Sequence, residues 1–301
     1  MTVQRLTIAE GADAPRMAER TTLRLGGPVL AEVRLGDMRD VDSLPEIASR
    51  LGGRLAAIGA GSNILAGDAA LPVVLVRDAA NTSLAMLAED ATSATLHVGC
   101  GGKLPTLLSR LASRGLSGLE GLCGIPGCVG GAVAMNAGSF GQSIGDAVVS
   151  LDVAVPGKGI VTVPREDITF AYRHMRIPAL RGWHMLAGVT LRLAKTREDL
   201  VAAAMRATME KKKASQPVTS ASAGCVFKNP DPEHPAGRLL EEAGFKGRRV
   251  GAMAFSTMHA NFMVNEGGGR AAEALELIAL AKEAVAARYG IALETEVRLW
   301  V

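Results

Sequence analysis

Residues 118 to 138 read Gly118-Leu119-Glu120-Gly121-Leu122-Cys123-Gly124-Ile125-Pro126-Gly127-Cys128-Val129-Gly130-Gly131-Ala132-Val133-Ala134-Met135-Asn136-Ala137-Gly138, and a third of them are glycine. Glycine at that density costs too much backbone entropy for a regular helix or strand. Glu120 is the only charged residue among them. A surface linker would instead place Ser, Lys and Glu between its glycines. The stretch therefore reads as buried backbone, either wrapped around a large ligand or packed as a tight turn in the core.

A second stretch favours the ligand. Ile58-Gly59-Ala60-Gly61-Ser62-Asn63-Ile64-Leu65-Ala66-Gly67-Asp68 follows the apolar run Leu55-Ala56-Ala57. A strand running into Gly-x-Gly-Ser-Asn offers backbone N–H groups and a hydroxyl at one turn, which is how an anion such as a pyrophosphate is held. The dinucleotide fingerprint is incomplete, because the third glycine is missing and no helix obviously opens there. The two glycine stretches together are a stronger signal than either alone.

Composition sets the bounds. A chain of 301 residues can bury a sizeable core and suits two or three domains. It is 48% hydrophobic and 21% charged, as globular proteins are. Aromatic residues make up only 3%, so Ala, Val, Leu, Ile and Met must build the core. The formal charge of +3 suits small anionic ligands, and the basic runs Lys211-Lys212-Lys213 and Arg248-Arg249 are too short to track nucleic acid. Cys100, Cys123, Cys128 and Cys225 show no Cys-x-x-Cys spacing and lack nearby histidines, so no metal is expected. They read as free thiols in a reducing compartment. Residues 1 to 19 lack a leader pattern and no apolar run could span a bilayer. A soluble cytoplasmic protein is expected, with no membrane and no nucleic-acid partner.

Along the chain, Val29 to Leu35 alternates like a half-buried strand. Asp42-Ser43 opens a helix at Leu44, with Pro45 early and Gly52-Gly53 at its end. A strand at 54–58 follows, and strand–helix–strand predicts parallel pairing through a right-handed crossover. Further strands are expected at 72–77, 94–99, 148–155, 159–163 and 184–193, with helices at 104–114 and 196–213. The second of these helices marks the border of another domain. Beyond it the pattern predicts a helix at 235–243, strands at 250–255 and 261–264, a long helix at 271–288 stopped by Gly290, and a closing strand at 293–300. The class is α+β.

Several segments then carry a resemblance. Thr21-Thr22-Leu23-Arg24-Leu25-Gly26-Gly27, Gly59 to Asn63, Gly118 to Gly138, Phe170-Ala171-Tyr172-Arg173, Gly224 to Pro230, His259-Ala260-Asn261-Phe262 and Glu296-Val297-Arg298 occur in the order found in UDP-N-acetylenolpyruvoylglucosamine reductases. The chain resembles that family over nearly its whole length. The resemblance implies an FAD-binding region of the vanillyl-alcohol-oxidase (PCMH) type over residues 1–195, in two subdomains of about 1–72 and 73–195. It implies a C-terminal α+β substrate domain over 196–301, with its last strand packing back on the first subdomain. FAD would be held without a covalent bond by Gly59, Ala60, Gly61, Ser62 and Asn63, and by Gly124, Ile125, Pro126, Gly127, Gly130, Gly131, Asn136, Ala137 and Gly138. NADPH would be the co-substrate. The reaction would reduce UDP-N-acetylglucosamine enolpyruvate to UDP-N-acetylmuramate for peptidoglycan synthesis. The partner is then a small molecule, and a monomer is expected.

The implied chemistry assigns roles to residues. Hydride must land on the terminal enol carbon, so charge builds on the adjacent carbon and its carboxylate, and a proton must follow. Arg173 is the expected stabiliser, since a guanidinium grips a carboxylate with two hydrogen bonds. Most arginines after a strand are surface residues, and the match to the family's Tyr-Arg is what favours a role here. Glu296 is expected to polarise the substrate carboxylate from a final strand; an outward-facing edge residue is the bland alternative. Cys225 stands where the family usually has a serine proton donor. A thiol of pKa ~8.5 is a far stronger acid than an alcohol, although a small buried hydrophobe is the commoner fate of a free cysteine. Tyr172, Lys213 and Asn229 are candidates for holding the UDP-sugar. Met258 replaces a lysine that the family often carries before His259, which is expected to organise a turn. No tyrosine lies between Arg173 and Cys225, so the chain resembles the shorter branch that lacks a tyrosine-bearing lid. Two rivals remain: an oxidase of the same fold with FAD attached through His97 or Cys100, and a nucleotide-binding module without turnover.

Overall fold

A computed structural model describes residues 6–78 and 81–301 of the chain. They divide into two compact units. The first takes the chain up to Asp13, Leu30–Ala60 and Pro72–Lys211; the second takes Ala14–Val29, Gly61–Leu71 and Lys212–Val301.

In the first unit, Leu6–Glu10, Val29–Leu35, Leu71–Asp78 and Arg54–Ala57 form one sheet in that spatial order. Helix α1 (Leu44–Arg50) has its proline in the first turn and buries Leu44 and Ala48. Arg54–Ala57 runs parallel to Leu71–Asp78, with Arg54 opposite Val73. The expected crossover therefore does not join neighbours, because Leu71–Asp78 lies between its two strands. The reason is burial: Val73, Val74, Leu75 and Val76 are all inaccessible. A strand apolar on both faces belongs in the middle of a sheet.

The second sheet of this unit orders Gly159–Pro164, Val148–Val155, Met185–Lys195, Ser93–Gly99 and Leu84–Glu89 side by side. Helix α2 (Leu104–Ala112) buries Leu104, Leu107, Leu108 and Leu111, a one-face helical spacing. It shares that sheet's core with α3 (Val129–Ala134), so part of the glycine-rich stretch is helical after all. A smaller core joins the two sheets, where Ala154, Met185 and Ala187 meet Val33, Leu44 and Val74. Helix α4 (Glu198–Ser215) carries acids in its first turn and Lys212 and Lys213 in its last, as the helix dipole favours.

In the second unit, Ser222–Cys225, Phe262–Asn265, Met253–Phe255 and Arg249–Val250 form a sheet in that order. Its core also takes residues from α5 (Ala236–Glu242) and α6 (Ala271–Tyr289), with Phe227, Phe245 and Phe255 fully buried. Phe245 meets Phe255 edge to face at 5.7 Å, a favoured aromatic geometry. Helix α6 ends at Gly290 in the left-handed region (φ 69°). At its other end Asp68 accepts hydrogen bonds from the Ala271 and Ala272 N–H groups (2.8 and 3.0 Å). Arg298–Trp300 pairs in parallel with Ile64–Ala66. The closing strand is shorter than predicted because residues 294–296 bond elsewhere. Lys228 N donates to the Glu294 carbonyl (2.9 Å), and Glu296 N donates to that of Val226 (2.8 Å).

Asn261 is 2% exposed; its Oδ1 accepts from the Phe227 N–H (2.9 Å) and its Nδ2 donates to the Phe227 carbonyl (2.8 Å). Asn261→Ala strands two buried backbone groups, at a cost of about 1–3 kcal/mol each. The urea midpoint should fall accordingly with its slope unchanged, and an unmoved midpoint would contradict this account.

Candidate active site

The bare backbone sorts into two kinds. A Cβ at Gly59 would stand 2.1 Å from Cys128 Sγ, and one at Gly61 (φ 62°) would stand 2.0 Å from the Arg20 carbonyl oxygen. A Cβ at Gly130 would come within 3.1 Å of Cys100 Cβ. These glycines are demanded by the chain's own packing. Gly131 is different. It is exposed on α3, and a Cβ there would meet nothing within 4 Å. Nothing in the protein requires its side chain to be missing, so its surface is open to an external group. Gly124, Ile125 and Gly127 are half-buried beside it in sequence, and Pro126 is exposed. Gly59, Ser62 and Asn63 are half-buried and Ala60 is exposed. Such an open, uncharged, side-chain-poor surface fits a flat ring system and its linker.

Glu120, the one charge of the stretch, is buried and serves it internally. Burial pushes its carboxyl up, but hydrogen bonds from Ser117, the Gly118 N–H (2.9 Å) and Gln142 Nε2 (3.3 Å) hold it below the usual carboxylate range. Asn136 and Ala137 are buried and Gly138 is half-buried, so this end of the stretch exposes little side chain.

Tyr172 and Arg173 form the turn of a hairpin between Thr169–Ala171 and His174–Arg176. Tyr172 is half-exposed, and the Arg173 guanidinium lies 4.9 Å from its ring centroid. Arg173 has φ 54°, a left-handed conformation that arginine seldom adopts.

In the second unit, Cys225, Asn229, Gly237, Arg238, Met258 and His259 line a cavity of about 570 Å³. Cys225 ends its strand after Gly224 (φ 79°), opposite Phe262, where the ladder slips in register. Glu296 is half-buried in a bend, not in the predicted strand. Its N–H is bonded to Val226, the residue after Cys225, and its carbonyl accepts from Asn63 Nδ2 (3.1 Å). The Glu296 main chain is thus tied to the neighbour of Cys225 on one side and to the Asn63 side chain on the other. Asn229 Oδ1 accepts from Ala236 N (3.0 Å) at the start of α5. His259 Nδ1 accepts from Asn261 N (3.1 Å), which organises the turn as expected. Burial holds its imidazole below the ordinary value, so it stays neutral near pH 7.

Arg173 belongs to the first unit, and Cys225, Asn229 and Glu296 to the second. Lys213 is exposed, whereas Lys212 beside it is 2% exposed. The cavity wall also includes Arg238, Glu241 and Glu242, which the motifs did not single out. No local pattern marked that wall, and the constraint at Gly237, where a Cβ would meet the His259 ring at 2.8 Å, comes from the fold. Cys100 is buried, and burial pushes its thiol up. His97 is engaged with Asp152 at 2.9 Å. No cluster that could hold a metal occurs among the described residues, and none of their helices is long and apolar enough to cross a membrane.

Known proteins match the chain in both units. A family model described as "FAD binding domain" matches residues 29–163, and one described as "UDP-N-acetylenolpyruvoylglucosamine reductase, C-terminal domain" matches residues 216–300. The UDP-N-acetylenolpyruvoylglucosamine reductase of Nitratidesulfovibrio vulgaris is 49% identical over 98% of each chain. That of Bacillus licheniformis is 35% identical, over 99% of this chain and 96% of its own. The crystal structure of UDP-N-acetylenolpyruvylglucosamine reductase from Thermus caldophilus is similar with a TM-score of 0.78 at 33% identity, covering 99% of both chains.

The contact between Gly59 and Cys128 can be tested by itself. Gly59→Ala should destabilise the protein by about 1–3 kcal/mol through overpacking. Cys128→Ala in the same chain should recover most of that loss in thermal melting; a Gly59→Ala variant as stable as the parent would show that the loop has room.

Proposed function

The chain belongs to the UDP-N-acetylenolpyruvoylglucosamine reductase family, and from that premise we propose how its own residues run the reaction. It is an FAD-dependent oxidoreductase that reduces UDP-N-acetylglucosamine enolpyruvate to UDP-N-acetylmuramate with NADPH, in peptidoglycan synthesis. Bound FAD, held without a covalent bond, supplies the hydride. The residues proposed to hold it are Gly59 to Asn63, Gly124 to Gly127, Gly130, Gly131 and Asn136 to Gly138, mainly as backbone. Residues 1–195 are proposed as the FAD-binding region and residues 196–301 as the substrate-binding part.

The substrate's enolpyruvyl group carries a carboxylate next to the carbon that gains negative charge. Arg173 grips that carboxylate and stabilises the charge as it develops. Glu296 polarises the same group. The hydride would go to the methylene, which becomes a methyl group, and Cys225 gives its thiol proton to the carbon beside the carboxylate, which becomes a saturated CH; the thiolate then takes a proton from water. Tyr172, Lys213 and Asn229 bind the UDP-sugar. Met258 supplies no charge, so any diphosphate contact at that place falls to other groups. The absence of a tyrosine between Arg173 and Cys225 puts the chain in the branch without a tyrosine-bearing lid. The partner is a small-molecule UDP-sugar, and the family resemblance is what supports the proposal of a monomeric cytoplasmic enzyme without a nucleic-acid partner.

One observation carries the reading. Cys225 lines a cavity large enough for a sugar nucleotide's parts, and the Glu296 backbone is hydrogen-bonded to the very next residue. An incidental buried thiol would need neither.

The test is to mix the yellow protein with NADPH without oxygen and then add the enolpyruvyl sugar nucleotide. Bleaching by NADPH should survive in both Cys225→Ala and Cys225→Ser. Recovery of the oxidised spectrum should slow by about 10²–10⁴-fold in the alanine variant, the usual worth of a general acid. It should be largely kept in the serine variant. An alanine variant that reoxidises like the parent would reduce Cys225 to packing.

A further inference from the structure

We propose that Asn136 is a positioning residue that sets where Arg173 stands, by tying the glycine-rich stretch to the base of the hairpin that carries it. The proposal rests on the reading of Arg173 as the carboxylate-binding residue. Asn136 is 9% exposed and sits just past α3 at φ 41°. Both ends of its side-chain amide are used by the protein. Nδ2 donates to the Ala171 carbonyl at 3.0 Å, and Oδ1 accepts from the Gly145 N–H at 3.0 Å. The partners fix the amide's orientation, because a flip would set donor against donor and acceptor against acceptor.

Ala171 is the last residue before the Tyr172–Arg173 turn. The hairpin itself has only three residues in each strand. A two-stranded ribbon of that length does not hold its shape alone in water. Its register therefore depends on what grips it from outside, and Asn136 grips the residue at the base of the turn. The stretch touches the hairpin a second time at the tip, where Arg173 Nη1 lies 3.4 Å from the place a Cβ would occupy on Gly138. Gly145 completes the clamp. A Cβ there would stand 2.6 Å from Asn136 Oδ1 and 2.8 Å from the Phe170 ring, so its absence lets amide and ring pack together. The glycine-rich stretch thus carries surface for the cofactor on one side and fixes the arginine turn on the other. Asn136 itself touches no reacting atom; it acts through Arg173.

The experiment compares holoenzyme variants Asn136→Ala, Asn136→Asp, Arg173→Ala and the double Asn136→Ala/Arg173→Ala. Asn136→Asp is isosteric and keeps the bond from Gly145, but sets a carboxylate oxygen against the Ala171 carbonyl. Flavin content and bleaching by NADPH are measured for each variant, and reoxidation is read per bleached flavin. Reoxidation by the enolpyruvyl sugar nucleotide should slow about 10²-fold, the scale of a misplaced catalytic group. The double variant should be no slower than Arg173→Ala alone, because residues acting as one unit are not additive. A residue that merely stabilised the fold would instead lower melting temperature and bleaching together. Where Asn136→Ala does not retain flavin, Asn136→Asp decides. Parental reoxidation in Asn136→Asp while Arg173→Ala is crippled overturns the proposal, and so do additive losses in the double variant. Parental reoxidation in Arg173→Ala overturns the underlying reading of Arg173 instead, and the proposal with it.

Discussion

The sulfur of Cys128 stands where a side chain at Gly59 would begin, and the carbonyl of Arg20 stands where one at Gly61 would begin. Two residues apart, the same loop is seated against distant parts of the sequence, and the boundary of the compact units falls between them. The chain just beyond the loop depends on that seating. Asn63 donates to the Glu296 carbonyl, Ile64–Ala66 pairs with the last strand, and Asp68 holds the start of α6. A loop that looks like a ligand turn in the sequence is also what anchors the C-terminal segment bearing Glu296. The close approach permitted by glycine is thus a tertiary device before it is a binding device.

Much of this was legible because local signals agreed with one another. The proline in the first turn of α1, the leucine spacing of α2, and the left-handed Gly290 after α6 each have a local cause that tertiary context had no reason to override. Leu84–Glu89 was invisible for the opposite reason. It is an edge strand with almost every side chain exposed, so no alternation marks it. Helix α3 escapes a linear reading because two of its six residues are glycines. The penalty for glycine in a helix is only about 1 kcal/mol against alanine, and Cys100 packed against Gly130 leaves no room for anything larger. Nothing in the local pattern says that a neighbour thirty residues away has claimed that space.

The site was legible as residue types and less so as geometry. Cys225 and Asn229 line one cavity, Arg173 and Glu296 are not among its lining residues, and His259 organises its turn. Glu296 reads as a strand residue in the sequence; it sits in a bend held by Val226 and Asn63. Periodicity could not show this, since Leu293 and Val297 are buried for reasons of non-local pairing. In the Lys211-Lys212-Lys213 run, the family resemblance singled out Lys213, yet Lys212 is the lysine the fold buries. Helical phase at the last turn decides that, and a one-residue difference there rotates a side chain by about 100°.

Among the described residues, four non-glycines adopt a left-handed backbone: Arg24, Asn136, Phe140 and Arg173. Each costs roughly 1–2 kcal/mol relative to a right-handed conformation. That is a noticeable fraction of the roughly 5–15 kcal/mol by which a domain is stable. Asparagine tolerates the conformation, and its two buried hydrogen bonds, worth about 0.5–1.5 kcal/mol each, offset the strain. Arginine tolerates the conformation less readily than asparagine. Glycine in place of Arg173 would relieve the turn and would at once remove the guanidinium. Strain of this kind persists only where the surroundings over-determine it. Asn136 beneath the turn and the bare Gly138 beside its tip are two such surroundings. The turn holds a residue it would not choose for its backbone, and the same surroundings fix where the proposed carboxylate-binding guanidinium stands.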